Sequence, residues 1–340
     1  MRAIVLEAPG RLSPLDLPEP GAPGPGEALV AIRRVGVCGT DLHAFHGRQP
    51  FLAYPRILGH ELGAEVLAVG PDVTTLRPGD RCAVRPYLEC GECDACLRGS
   101  ANCCMRLEVL GAHIDGGMRE RLVLPADHLH RSDQLTLDEL ALVETLSIGA
   151  HAVARACPSA DDRVLVLGAG PIGLGIAAHL RARGLDPVVA DVNPARRAFA
   201  GSWAGVRTLA FEPDHDPATL LRDAWRGDAP TVVLDATGNA ASMAGTFSLV
   251  AHGGRIVFVG LFQGEVTFHD PDFHRRELTL LASRNATAGD VEATIALLES
   301  RSFTLDAWLT DRCALEDVPV VMPTWASGPS ATIKGLIEVP

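Results

Sequence analysis

The segment Val164–Gly173, with the sequence VLVLGAGPIG, decides the fold of this 340-residue chain. An apolar run is followed at once by glycines spaced as G-x-G-x-x-G, and a helix is predicted from Pro171 to Arg183. A glycine turn between a strand and a helix admits a pyrophosphate, to which the helix N-terminus offers free N–H groups. The segment therefore predicts a dinucleotide-binding turn. A glycine-rich turn in an α/β domain that binds no nucleotide is the alternative.

The glycines and a later carboxylate have separate expected roles. In order, the glycines permit the turn, admit the pyrophosphate and let the helix pack on the sheet: Gly168, Gly170 and Gly173. Asp191 ends the next apolar run, where a carboxylate accepts hydrogen bonds from the adenosine ribose. This carboxylate would repel a 2′-phosphate, which favours NAD over NADP. Arg196 and Arg197 follow it closely and temper that preference.

The pattern of apolar runs and turn residues differs between the parts of the chain on either side of this turn. Residues 1–145 hold short β-branched runs separated by Gly and Pro turns, which predict a β-rich domain. Residues 146–288 alternate apolar runs with helical segments, which predicts a parallel sheet covered on both faces. Residues 289–340 are expected to return to the first domain through the apolar run 333–339. The predicted class is α/β, with a doubly wound Rossmann domain and a β-rich first domain.

Charge and hydropathy exclude other classes. The chain has 30 Lys and Arg against 42 Asp and Glu, a net charge of −12. Because no overall positive field attracts phosphates, we expect no nucleic-acid partner. No apolar run approaches the roughly 20 residues needed to cross a bilayer, and no signal-like segment opens the chain. We therefore expect a cytoplasmic protein without a membrane partner.

The cysteines are clustered in one short segment. Cys90, Cys93, Cys96 and Cys104 follow the spacing C-x2-C-x2-C-x7-C, which satisfies a tetrahedral zinc with no open position. The spacing thus predicts a structural zinc site, with Cys103 as a rival fourth ligand. An iron–sulfur cluster, buried free cysteines and a nucleic-acid-binding zinc ribbon are the alternatives, and the acidic chain opposes the last of these.

A second set of ligand-type side chains precedes the cysteine cluster. Cys38 and His60 suit zinc, and a catalytic zinc needs a third protein ligand and one open position. Glu61 and Glu144 are both candidates for that third ligand. An isolated Cys or His more often belongs to the core, so the dinucleotide turn in the same chain is what favours a metal centre here.

Together, these motifs resemble those of the zinc-dependent medium-chain alcohol and polyol dehydrogenases, in order and over essentially the whole chain. The matching stretches are 36–43, 59–61, 90–104, 142–152, 168–173 and 253–260. Glu144 stands where ethanol-oxidising members usually carry a cysteine ligand, so the resemblance is greater to the polyol and threonine branch. The stretches 41–50 and 55–61 look most like dehydrogenases of sugar acids such as L-galactonate.

This resemblance implies a GroES-like catalytic domain, a Rossmann domain, NAD as cofactor, one catalytic and one structural zinc, and a homodimer or homotetramer. Cys38 and His60 would bind the catalytic zinc, and Glu61 and Glu144 would exchange as its third ligand. The residues implied in cofactor binding are Gly168, Gly170, Pro171, Ile172, Gly173, Asp191, Arg196, Asp235, Gly260, Arg284 and Asn285.

The implied reaction is hydride transfer from a secondary alcohol of a polyol or sugar acid to NAD, with zinc making the alcohol more acidic. Thr40 would pass the hydroxyl proton to His43 through the cofactor ribose; a turn residue and a surface imidazole are the respective alternatives. Arg48 is the candidate partner of a sugar-acid carboxylate, against a solvated surface arginine. A dehydrogenase of L-threonine or neutral polyols, and a non-catalytic zinc and dinucleotide binder, are the rival functions.

Overall fold

The computed structural model describes residues 1–211, 217–327 and 333–340. The chain divides into two compact units. The first unit comprises Met1–Thr145 and Ala286–Pro340, and the second comprises Leu146–Asn285. Each unit has its own sheet and its own part of the candidate functional machinery.

The first unit is β-rich up to the long helix in which the second unit begins. Its elements in chain order are β1 (Arg2–Ala8), β2 (Arg11–Asp16), β3 (Glu27–Val37), α1 (Gly39–Phe45), β4 (Arg56–Ile57), β5 (Glu61–Val69), β6 (Arg81–Val84), β7 (Tyr87–Leu88), α2 (Asp94–Leu97), β8 (Glu108–Val109), β9 (Arg121–Pro125), β10 (Leu129–Arg131) and α3 (Leu137–Ala156). Strands β1, β2 and β4 form one small sheet, and β7 and β8 form another.

The second unit alternates strands and helices. Its elements are β11 (Val164–Leu167), α4 (Pro171–Ala182), β12 (Val188–Asp191), α5 (Pro194–Ala204), β13 (Arg207–Ala210), α6 (Pro217–Ala224), β14 (Val232–Asp235), α7 (Ala240–Leu249), β15 (Arg255–Phe258), α8 (Asp270–Arg275) and β16 (Thr279–Ala282). The strands run parallel in the order β13-β12-β11-β14-β15-β16, which is the 3-2-1-4-5-6 order of a Rossmann sheet. The predicted fold class is confirmed.

The chain then supplies α9 (Ala288–Glu299), β17 (Leu309–Ala314), α10 (Val318–Ala326) and β18 (Lys334–Glu338). Strand β18 pairs antiparallel with β3 and parallel with β17. The main sheet of the first unit therefore runs β10-β6-β5-β3-β18-β17, with β9 also paired to β3. This sheet brings the end of the chain beside residues near its beginning.

Two elements differ from their sequence-based description. The motif 142–152 carries no predicted helix, but it lies inside α3. The helix was not predicted because α3 is apolar on more than one face, so its sequence has no clear helical period. The run 278–282 was expected to be a covered strand, but β16 is an edge strand whose residues are largely exposed. In the described part of the chain, no helix is both long and apolar enough to cross a membrane.

Candidate metal centres and dinucleotide turn

The end of β3 and the start of β5 bring three ligand-type side chains together. The antiparallel register pairs Gly36 with Glu61, so Cys38, just beyond β3, lies beside His60 and Glu61. The ligand atoms of Cys38, His60 and Glu61 lie within 4.8 Å of one another. A thiolate, an imidazole and a carboxylate with one position left open form the donor set of a catalytic zinc, so these residues fit that ion.

Asp41 supports two of these ligands from the first turn of α1. It is 1% exposed, and its carboxylate accepts hydrogen bonds from the backbone N–H groups of Cys38 (2.9 Å) and Gly59 (3.3 Å). Its Oδ1 lies 3.8 Å from Nδ1 of His60. Burial raises the pKa of Asp41. Burial alone would lower the pKa of His60, but the Asp41 carboxylate and the Cys38 thiol raise it well above its usual value.

Glu61 has a buried cationic partner that sequence analysis missed. The Nζ of Lys334 donates to both carboxylate oxygens of Glu61, at 2.7 and 2.8 Å, and also to the Thr145 hydroxyl at 3.2 Å. Burial opposes ionisation of Glu61, but the charges of Lys334 and His60 lower its pKa overall. Lys334 in turn has its pKa raised, because the Glu61 carboxylate outweighs the cost of burial. Glu61 is thus held as an anion beside the other two ligands.

The other candidate carboxylate has a different partner. Glu144 lies on α3, is 6% exposed, and its Oε1 accepts a short hydrogen bond from the hydroxyl of Tyr87. Among the described residues, the ligand set within 4.8 Å contains Cys38, His60 and Glu61 but not Glu144. Burial raises the pKa of Glu144. Of the two alternatives left open by the sequence, the geometry favours Glu61 as the third ligand.

Both predicted proton-relay residues lie on α1. Thr40 is half-buried and His43 is exposed. Residues three apart on a helix lie on the same face, so the two side chains follow one another from the interior toward solvent. Arg48 lies just beyond this helix, and its backbone N–H donates to the carbonyl oxygen of His43 at 2.8 Å.

The four predicted cysteines form a second ligand group. Sγ atoms of Cys93 and Cys96 are 3.5 Å apart, those of Cys93 and Cys104 are 3.8 Å apart, and those of Cys90 and Cys104 are 3.4 Å apart. A tetrahedron with Zn–S bonds of about 2.3 Å has S···S edges of about 3.8 Å, so the cysteines fit zinc closely. Cys103 is exposed and lies outside this group.

Backbone N–H groups and one guanidinium donate hydrogen bonds to sulfur atoms of this second group. The Sγ of Cys104 accepts from the backbone N–H groups of Cys90 and Arg106, both at 3.3 Å. The backbone N–H of Glu92 and the guanidinium of Arg106 lower the pKa of Cys90 to about 6. Such donors stabilise the charged form of sulfur that binds zinc. With four sulfur ligands and no open position, the group suits a structural ion.

The glycine turn has the geometry that phosphate binding requires. Gly168 has a φ of +95°, and Gly170 immediately precedes the first residue of α4, with open space where a Cβ would be. A Cβ on Gly173 would lie 1.8 Å from the carbonyl oxygen of Gly168, so only glycine allows the helix to approach. Pro171 and Ile172 form the first turn of α4 between these glycines.

Asp191 and Arg197 hydrogen-bond to the backbone near the turn, whereas Arg196 is exposed. The carboxylate of Asp191 accepts from the N–H groups of Ala169 and Asn193, both at 2.7 Å. The guanidinium of Arg197 donates to the carbonyl oxygens of Asp191 and Val192, at 2.8 and 2.9 Å. Arg196 is exposed. Arg197 is therefore turned to the backbone that carries Asp191.

The remaining predicted cofactor residues lie at the end of β14 and after it. Asp235 is fully buried, and its carboxylate accepts from Thr237 and Ser242, so it shapes the loop before α7. A Cβ on Gly260 would lie 2.2 Å from the backbone nitrogen of Gly238, which packs the two loops together. The last two predicted residues, Arg284 and Asn285, follow β16.

A Rossmann sheet with a phosphate turn, an open Cys-His-Glu set and a closed four-cysteine set is the combination expected of zinc-dependent dehydrogenases. Comparison with known families agrees. Residues 24–134 match the alcohol dehydrogenase GroES-like domain, and residues 171–300 match the zinc-binding dehydrogenase family. The chain belongs to the zinc-dependent medium-chain alcohol and polyol dehydrogenases.

Individual relatives span most or all of the chain. L-galactonate-5-dehydrogenase of Escherichia coli K12 is 44% identical over 290 residues, which is 85% of each protein. D-altritol 5-dehydrogenase of Agrobacterium fabrum is 34% identical over 98% of each protein. Among solved structures, the alcohol dehydrogenase RspB of E. coli CFT073, complexed with NADH, is 29% identical over 99% of each chain, with a TM-score of 0.91.

Proposed function

We propose that the protein transfers a hydride from a secondary alcohol of a polyol or sugar acid to NAD. The observation that carries this proposal is the open ligand set of Cys38, His60 and Glu61 in a chain that also holds a dinucleotide turn. The substrate class is supported by the relatives named after L-galactonate and D-altritol, a sugar acid and a polyol.

When bound, zinc supplies a Lewis acid at the substrate oxygen and NAD supplies the hydride acceptor. Cys38, His60 and Glu61 would hold the ion, and three protein ligands would leave one position for substrate. The hydroxyl of Thr40 would accept the substrate proton while giving up its own, and this proton would reach exposed His43 through the cofactor ribose and then pass to water. The buried Asp41 fixes the backbone around both Cys38 and His60 while this occurs.

The dinucleotide preference rests on the second unit. The Asp191 carboxylate, at the carboxyl end of β12, disfavours a 2′-phosphate, and Arg197 donates to backbone carbonyls instead of facing such a group. Arg196 is exposed, and its positive charge would favour the 2′-phosphate of NADP. We therefore propose NAD as the preferred cofactor and NADP as the weaker one.

The proposal includes a homo-oligomer, dimer or tetramer, in the cytoplasm. Strand β16 ends its sheet, and Leu280 on it is 38% exposed. Because an exposed edge strand can pair with another chain, this edge supports self-association. None of the nine cysteines, all of which lie in the described part of the chain, forms a disulfide, which fits a reducing compartment.

The test is a substrate panel with metal analysis. Purified protein, assayed for NADH and NADPH formation, should oxidise hexonates or polyols in preference to L-threonine and should carry zinc at both ligand groups. Cys38→Ser should abolish turnover and remove one zinc equivalent while the chain stays folded. Cys157→Ser, an exposed cysteine outside both groups, should change neither. Zinc-loaded wild type that oxidises nothing in the panel would favour a non-catalytic role and contradict the proposal.

Recognition of a sugar acid is assigned to Arg48. The backbone N–H of Arg48 donates to the carbonyl oxygen of His43, so Arg48 lies at the end of the helix that carries the proposed proton relay. Arg48→Ala should raise the KM for hexonates and leave the KM for neutral polyols unchanged, because only the former carry a carboxylate. An equal KM for hexonates in the variant would show that Arg48 has no such role.

A further inference from the structure

Tyr87 lies just before the four-cysteine segment, and its side chain contacts Glu144 near the proposed catalytic centre. Its backbone belongs to β7, which pairs with β8 so that Tyr87 lies opposite Val109. The side chain is only 4% exposed, and its hydroxyl donates a short hydrogen bond to Oε1 of Glu144. None of the motifs that define the metal centres or the dinucleotide turn includes this residue.

Two buried carboxylates lie at this centre, and each has its own donor. Glu61 has both oxygens on the ammonium of Lys334, whereas Glu144 has the phenol of Tyr87. Two carboxylates in one buried place repel each other, so each needs a partner that fixes it. Tyr87 is the side chain that fixes Glu144.

Loss of this donor would leave Glu144 with an unsatisfied buried oxygen, which is costly. Thr145, the residue next to Glu144 on α3, accepts a hydrogen bond from the same Lys334 ammonium that holds Glu61, so Glu144 lies near the metal-binding set. A metal held by that set would offer the released carboxylate oxygen of Glu144 a new partner. A fourth protein ligand is what distinguishes a closed structural zinc from an open catalytic one.

We propose that Tyr87 is a positioning residue that holds Glu144 out of the ligand set and so keeps the fourth coordination position open to substrate. This inference rests on the proposed function, because it presupposes a metal at Cys38, His60 and Glu61. It assigns Tyr87 no contact with the substrate and no proton transfer.

The test uses cobalt-substituted protein, because the visible bands of cobalt report its ligands without any turnover. Imidazole should shift these bands in wild type by entering the open position, and should not do so in Tyr87→Phe. Partners around a ligand alter metal affinity by about 10- to 100-fold, so we expect Tyr87→Phe to release its catalytic-site zinc to a chelator at least roughly 10-fold more slowly. In Tyr87→Phe/Glu144→Ala the closing carboxylate is gone, and both properties should return toward wild type.

The chain offers a matched control in its other tyrosine. Tyr54 donates its hydroxyl to the carbonyl oxygen of Ala44 at 2.6 Å, away from Glu144, so Tyr54→Phe should leave the imidazole response and zinc release unchanged. The proposal is overturned if Tyr87→Phe responds to imidazole as wild type does, or if it releases zinc faster.

A second variant keeps the proposal testable if Tyr87→Phe does not fold. Glu144→Gln retains the shape of the side chain, and because Glu144 is not a ligand in this proposal, it should retain both zinc equivalents. Loss of the catalytic-site zinc from Glu144→Gln would also overturn the proposal. Neither metal readout depends on catalysis, so a wild type that oxidises no substrate would sink the proposed function without deciding the role of Tyr87.

Discussion

The ammonium of Lys334 and the carboxylate of Glu61 form a buried ion pair, with Nζ 2.7 and 2.8 Å from the two oxygens and side-chain exposures of 2% and 0%. The partners lie on different strands, β18 near the end of the chain and β5 near its beginning. The C-terminal strand therefore takes part in the proposed metal centre directly, through a side chain that contacts a ligand.

Removal of one partner should cost much more than removal of both. Lys334→Met leaves the Glu61 anion buried and unpaired, and we expect the free energy of unfolding to fall by about 3–5 kcal/mol. Lys334→Met/Glu61→Gln removes both charges and should recover a large part of this loss. Urea-induced unfolding of chelator-treated protein measures both effects. A single variant as stable as wild type would show that the pair contributes little.

The ion pair also shows how far sequence analysis reaches. The apolar run 333–339 predicted that the chain returns to the first domain, and a lysine within such a run is a signal that it needs an anionic partner. The partner itself could not be predicted, because 273 residues separate Lys334 from Glu61 and no spacing rule spans that distance. The strand register of β3 with β5 and β18 is what brings them together.

Local motifs were more predictable than their supports. The glycine turn and the four-cysteine segment are each defined by short spacing, so their residues are neighbours in the sequence before folding. Cys38 and His60 lie farther apart, and the glycine turn in the same chain is what favoured a metal centre there. Asp41 lies in a matched stretch but received no predicted role, and Tyr87 lies outside all of the matched stretches, because the importance of both comes from hydrogen bonds made after the chain is folded. The choice between Glu61 and Glu144 likewise needed distances.

Gly36 should be essential to the proposed metal centre. A Cβ at this position would lie 2.2 Å from Oε2 of Glu61, because β3 and β5 pair directly there. Gly36→Ala should displace the carboxylate, remove one zinc equivalent and abolish turnover. Gly39→Ala is the matched control, since a Cβ at Gly39 meets nothing within 4 Å. Elemental analysis measures the zinc content of both variants. Full zinc content in Gly36→Ala would contradict the assignment of Glu61 as a ligand.

Adjacent cysteines should behave differently when replaced. Cys104 is 4% exposed and its Sγ lies 3.4 Å from that of Cys90, whereas Cys103 is exposed and outside the ligand group. Cys104→Ser should lose the structural zinc, and because tetrahedral sulfur ligation stabilises such lobes, it should also lower the thermal unfolding midpoint. Cys103→Ser should retain both zinc equivalents and the wild-type midpoint. If the two variants exchanged these outcomes, Cys103 would be the fourth ligand.

His130 should make the stability of the first unit depend on pH. Burial and then the nearby charge of Arg85 lower its pKa to about 4, with His128 acting in the same direction and Asp127 opposing. Between about pH 6.5 and pH 4 the unfolded chain therefore binds a proton that the folded chain does not, so stability falls as the pH falls. From pH 7 to pH 5 this amounts to about 2 kcal/mol. His130→Gln cannot take up that proton, and its stability relative to wild type should improve by this amount over the same interval in urea-induced unfolding. The comparison with wild type at each pH cancels the effect of metal release, which both proteins share. Parallel pH profiles would show that His130 titrates alike in the folded and unfolded chain.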